Sequence, residues 1–258
     1  MIKERRIPSL FASFAGLALI VSTAGAANAA PSNAAPMTMN PTASTSQVAD
    51  KTVLTTIAVG EQEAADMTAV ALSAISSSQV SVHASTESLK ISESKVSTIA
   101  TDQGLFTTVT VPVGGPYSLT SNIAMVFDSS GDRLQYTETL VSESEAGNFA
   151  IETYLDGTQT SNQATDLAFM SDAELEADLV ASQTPGAKDA NSSTDKNTGA
   201  CIATVLGVGG VVGSIIAYSC AGACAAAAVG VGVPFCVACI AGFATVGGAS
   251  ITAVATCF

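Results

Sequence analysis

Residues 218–242 read YSCAGACAAAAVGVGVPFCVACIAG, and the cysteine spacing in and around this stretch decides how the C-terminal part of the chain folds. Cysteines stand at 201, 220, 224, 236, 239 and 257, so successive gaps hold 18, 3, 11, 2 and 17 residues, nearly the same list from either end. Two arms of equal length folded back at a turn bring together residues equidistant from that turn. Gly230, Gly232 and Pro234 lie at the centre and are turn residues. The spacing predicts an antiparallel helical hairpin, and of the many pairings open to six cysteines it favours the nested one: Cys224 with Cys236, Cys220 with Cys239 and Cys201 with Cys257. Cys239 and Cys257 lie about five helical turns apart and share a face, whereas Cys201 is displaced by about a quarter turn from Cys220. A frayed or non-helical start is therefore expected around Cys201. Fifteen alanines and eleven glycines among residues 197–258 bury little surface per residue. A module of this kind depends on staples, each disulfide contributing roughly 2–4 kcal/mol.

Outward from the cysteines, the chemistry changes at Lys196, the last charged residue of the chain: no Asp, Glu, Lys, Arg or His follows it, and no cysteine precedes it. Lys3, Arg5 and Arg6, the apolar run Leu10 to Val21 and the small residues Ala27, Ala29 and Ala30 have the layout of an export signal cleaved after the small residues. Export makes the clustered cysteines disulfides rather than metal thiolates and places the mature protein outside the cell, secreted or at its surface. Without residues 1–30 the chain keeps six basic residues against 21 acidic ones, a net charge of −15. Such a surface repels phosphate backbones, which excludes nucleic acid as a partner class.

Residues 31–51, with Pro31, Pro36 and Pro41 among Ser, Thr, Ala and Asn, read as a flexible spacer. An acidic domain is expected over 52–180. Glu61 to Ile75 are mostly good helix formers with acidic residues at the N-terminal end. After a serine-rich polar stretch, Leu105–Val113, Asn122–Asp128, Arg133–Val141 and Asn148–Leu155 alternate and are separated by turn signals such as Ser129-Ser130-Gly131-Asp132 and Asp156-Gly157. Ser171 and Glu174 have capping-box spacing and open a short helix through Val180. The fold class expected is α+β: a small antiparallel sheet with flanking helices, then a separate all-α, disulfide-stapled hairpin over 200–258. Residues 181–199 contain almost nothing that packs and read as a linker open to a protease, with Lys188, Lys196 and Gly199 as candidate processing residues.

Motifs for catalysis are weak. Cys236-x-x-Cys239 has no neighbouring charge to stabilise a thiolate, so a redox role is not expected; Cys220, Cys224, Cys236 and Cys239 also have the spacing of two zinc-ligand pairs, against which stand the export signal and the outlying Cys201 and Cys257. His83, the single histidine, stands in a polar stretch and reads as a solvated loop residue. Glu143, Glu145, Glu174, Glu176 and Asp178 are plentiful carboxylates of an acidic chain, which is no argument for acid–base work. No enzyme, cofactor or metal is expected. Gly209-x-x-x-Gly213 within Ile202–Ser219, followed by the apolar run Val237–Thr256, also fits two membrane-spanning helices, so an exported surface protein anchored by this hairpin is the alternative.

The order of export signal, acidic cysteine-free domain, polar linker and charge-poor Cys/Gly/Ala-rich C-terminus resembles the precursors of the small cysteine-rich halocins and their bacterial homologues. The likeness is carried by Tyr218-Ser-Cys-Ala-Gly-Ala-Cys224 and Pro234-Phe-Cys-Val-Ala-Cys-Ile-Ala-Gly242. It implies a secreted precursor of a peptide antibiotic. The upstream region would act as an immunity-like partner that binds and masks its own C-terminal peptide. A processing protease would release the peptide toward a target-cell membrane or membrane protein.

Overall fold

The computed structural model describes residues 55–101, 103–182, 198–227, 233–243 and 257. The expected export signal, with Ala27, Ala29 and Ala30, the expected spacer up to residue 51, and the candidate processing residues Lys188 and Lys196 lie outside them.

Seven strands form one antiparallel sheet in sequence order: β1 (Thr55–Ile57), β2 (Lys95–Thr101), β3 (Gly104–Pro112), β4 (Asn122–Phe127), β5 (Arg133–Glu143), β6 (Asn148–Leu155) and β7 (Thr158–Ala168). Between β1 and β2 runs helix α1 (Glu61–Ser76), followed by two short 3-10 turns. After β7 come α2 (Asp172–Ser182), α3 (Thr198–Leu206), α4 (Gly210–Ala227) and α5 (Val233–Gly242). Every strand pairs with its chain neighbour, which is the simplest topology that turn-separated alternating segments allow. Leu155 pairs with Thr158 across a two-residue turn in which Asp156 and Gly157 both have positive φ, 47° and 78°. That is the hairpin turn whose twist matches the strands it joins.

β4 shows where the core sits, because all six of its residues are buried. A strand buried at both parities has both faces covered. Ile123, Met125 and Phe127 face α1, whose Ala71, Ala74 and Ile75 they meet in a cluster with Val109 and Leu140. Asn122, Ala124 and Val126 have the opposite parity, and α5 lies over β3 and β4 on that side. On the same side a second cluster joins Ile99, Val141, Phe149 and Ile151 of the sheet and Leu175 and Leu179 of α2 to the buried side chains of α3, α4 and α5.

The α+β expectation stands, and the word "separate" is corrected: the helices after Lys196 pack on the sheet, within the unit Val48–Phe258. The covered face explains the misreading. Over β3 and β5 it is lined by Thr108, Thr110, Thr137 and Thr139, whose alternation with apolar residues reads as a solvated face, yet each is at most 8% exposed. Threonine serves both environments, since its branched body packs on a pleated surface and its hydroxyl finds local partners. β2 and β7 escape prediction for a related reason. They are rich in Thr, Ser, Asn and Gln, and in β7 only Thr165 is buried. A polar strand at one sheet edge and the three-residue β1 at the other blunt both edges against pairing with further chains.

The first arm of the expected hairpin is also corrected. Ile202–Ser219 is not one helix. Gly207, at φ 63°, ends α3, and the Val208 N–H bonds the Ala203 carbonyl at 3.1 Å, the closing bond of a Schellman motif. The chain then turns through 119° into α4. Cys201 lies inside α3 rather than in a frayed start, and the corner absorbs the quarter-turn mismatch with Cys220. Gly199 is buried in the first turn of α3, so an enzyme that needs extended backbone finds none at that position, and the helical module starts at Thr198.

Candidate functional site

The three disulfides are Cys201–Cys257, Cys220–Cys239 and Cys224–Cys236, closing sequence separations of 56, 19 and 12 residues. They are the nested pairs that the mirror spacing favours, and no described cysteine is free, which leaves no thiolate for zinc or redox chemistry. Two of them join α4 to α5 and make the helices run in opposite directions. The third ties α3 to residue 257. Every cross-link therefore falls within residues 201–257; none reaches the sheet, whose segment of the chain has no cysteine.

What holds these helices to the sheet is non-covalent and falls into three zones. Over β5, β6 and α2 the contact is apolar: Ile202, Leu206, Val212, Ile215 and Ile216 meet Val141, Phe149, Ile151, Leu175 and Leu179. Over β3 and β4 it is close and small. The Thr110 hydroxyl donates to the Ala241 carbonyl at 3.4 Å, and a side chain at Gly242 would meet Asn122 Oδ1 at 2.5 Å and the Ala124 Cβ at 3.5 Å. The third zone is a polar margin. Tyr218 donates its hydroxyl to Asp166 of β7 at 3.3 Å, and the Ser182 hydroxyl of α2 is shared between the Leu179 carbonyl at 2.8 Å and the Gly207 carbonyl at 3.1 Å. Burial, with the neighbouring Asp166 carboxylate, raises the Tyr218 hydroxyl above its ordinary value of 10.0.

Gly209 and Gly213, the expected pair of a membrane helix-packing motif, do different things. Gly209 caps the start of α4, its carbonyl accepting the Gly213 N–H at 3.0 Å, and its Cα faces the Asp178 carboxylate. Gly213 lies against α3, where a Cβ would press on the Ala203 amide nitrogen at 2.8 Å. Among the described residues no single helix is long and apolar enough to cross a membrane. Thr198–Leu206 and Gly210–Cys224 together have the length and composition, bent by 119°.

The opposite face carries a polar cluster that sequence reasoning missed. Glu138, fully buried on β5, accepts the His83 backbone N–H at 2.8 Å, the Ala84 N–H at 2.8 Å and a contact from His83 Nδ1 at 2.9 Å. His83 is thus not a free loop residue: its ring stacks on Tyr154 at 3.7 Å. Tyr154 donates to Glu152 at 2.6 Å, and that bond, with burial, pushes its hydroxyl up to about 12. The Tyr136 hydroxyl accepts from the Ser81 N–H and donates to the Ser81 carbonyl, both at 3.1 Å. These bonds strap the segment after α1 to the sheet. The capping box is present as the spacing predicts: Glu174 accepts the Ser171 N–H at 2.8 Å, and the Glu174 N–H donates to the Ser171 hydroxyl at 3.4 Å. Glu174 is held below its ordinary value by the Ser171 hydroxyl and amide. Among the described residues no three His, Cys, Asp or Glu side chains are grouped to hold a metal ion.

Comparison with known proteins finds no matching family model, no matching curated protein and no matching solved structure.

Proposed function

We propose that the chain is the secreted precursor of a disulfide-stapled peptide antibiotic, residues 200–258, whose apolar surface is masked by the acidic domain of residues 52–180 until the two are cut apart. The observation that carries this reading is the distribution of bonds. Three disulfides lie wholly within the charge-free tail, and none joins it to the cysteine-free domain that covers it. One cut between Ser182 and Thr198 would therefore turn a covered element into a separable, internally cross-linked peptide. The disulfides fit an oxidising compartment, and export through residues 1–30 would supply one.

Freed of the sheet, Ile202, Ile215, Ile216, Ile240 and Phe243 would present an apolar surface suited to a membrane or a membrane protein. The acidic domain then acts by binding rather than by catalysis, its ligand being the peptide it was made with, as in the resemblance to cysteine-rich halocin precursors. Mass spectrometry of culture supernatant tests the proposal. A species beginning near Thr198, lighter than its reduced form by the six hydrogens that three disulfides remove, supports it. Full-length protein alone, sedimenting with membranes, would favour the anchored surface protein instead.

A further inference from the structure

The corner between α3 and α4 leaves orphan backbone groups of both signs side by side. The last carbonyls of α3 have no further helical partner, and neither do the first N–H groups of α4. Both glycines of Gly207-Val208-Gly209 lack the side chain that elsewhere caps such ends. Helix α2 supplies two groups from one face, because Asp178 and Ser182 are four residues apart and therefore neighbours on the helix surface. The Ser182 hydroxyl, 2.8 Å from the Leu179 carbonyl of its own helix, also lies 3.1 Å from the Gly207 carbonyl and shares its one proton between the two. Asp178 sets its carboxylate against Gly209, beside the positive end of the α4 dipole. Its Oδ2 is buried and has no hydrogen-bond partner among the described residues. Next to them on α2, Leu175 and Leu179 pack into the shared core.

Gly209 permits this approach for a steric reason. The three atoms nearest to a Cβ at this position, Oδ2, Cγ and Oδ1, all belong to Asp178, so the carboxylate would have to swing out of its place beside the α4 N-terminus to admit one. Gly210, one residue later, has open space around its Cβ direction. The restriction thus belongs to one residue of the tail and to one side chain of the acidic domain.

We propose that Asp178 and Gly209 form a self-recognition pair, by which the acidic domain accepts a C-terminal peptide with a bare glycine corner and refuses one with a side chain there. This rests on the masking role proposed above and adds the determinant of its selectivity. Gly213 provides the contrast, since its close neighbours, Gly199 and Ala203, belong to the tail itself. Substitution at 213 disturbs the tail's own fold; substitution at 209 disturbs its fit to the domain.

The experiment uses the full chain with a recognition site for a sequence-specific protease inserted between Lys188 and Lys196. After nicking, native mass spectrometry over a dilution series reads the affinity of the tail for the domain, and disulfide peptide mapping checks that the tail keeps its three pairs. Gly209→Ala is expected to weaken retention by at least about tenfold in the wild-type background. In an Asp178→Gly background the same change is expected to have no effect beyond about twofold, the non-additivity that marks a direct contact. Gly213→Ala should give the same loss in both backgrounds. Equal losses for Gly209→Ala in the two backgrounds, or none in either, would overturn the pair. If the unsubstituted tail leaves at once on nicking, the masking role fails first and the pair fails with it.

Discussion

Glu138 has no exposed surface and stands at the centre of β5 between Tyr136 and Leu140, paired with Ile123 of β4 and Tyr154 of β6. A buried carboxylate persists only if its lone pairs are occupied, and here two backbone N–H groups and His83 Nδ1 occupy them. Glu138→Gln keeps the shape but turns an amide toward donors, so urea unfolding should show a loss of roughly 2–3 kcal/mol. An unchanged midpoint would show that strapping the segment after α1 to the sheet contributes nothing. At the other face Tyr218 supplies a pH dependence. Its hydroxyl is raised in the docked state by burial and by Asp166, so the docked tail favours the protonated form. Docking is then fully supported below the ordinary tyrosine value and weakens as pH rises through the raised one. Alkaline titration of nicked protein should release the tail, and Tyr218→Phe should remove that part of the dependence. None of this pairing was legible in the sequence. His83 and Glu138 are 55 residues apart, and an isolated histidine in a serine-rich stretch carries no mark of the carboxylate that meets it.

Elements were legible where periodicity and punctuation coincided. β3 to β6 announce themselves by alternation bounded by Gly, Pro and Asp, and the cysteine mirror gives the register of α4 against α5 directly. The corner at Gly207–Gly209 was hidden because valine and glycine continue an apolar run without a charge or proline to break it. The three staples differ in what they close. By chain entropy the Cys201–Cys257 link, spanning 56 residues, should contribute about 4 kcal/mol and the Cys224–Cys236 link, spanning 12, about 3 kcal/mol. Paired Cys→Ala substitutions compared by urea unfolding measure that order, and a larger loss for the inner pair would contradict it. At the α3–α4 contact, Gly213→Ala forces a methyl against the Ala203 backbone and should cost on the order of 2 kcal/mol by overpacking. Helical circular dichroism during the same unfolding series would register it.

At the scale of the whole molecule, the charge boundary at Lys196 was plain from composition, but the sharing of one core across that boundary was not. Threonines that read as a wet face are covered, and the apolar half of that face, Val141, Phe149 and Ile151, is covered by α2 and, beyond the linker, by the helices of the tail. Two parts of opposite composition, joined by the linker and held by contacts that no disulfide reinforces, are what a masked and releasable peptide requires. The same arrangement predicts that the acidic domain governs exposure of the tail. Dye release from lipid vesicles measures this most directly, comparing full-length protein with the same protein cut within the linker and its tail separated under non-reducing conditions. The account predicts no release from the intact chain, strong release from the separated tail, and loss of that release when the tail's disulfides are reduced. Equal release from the intact chain and the separated tail would contradict it.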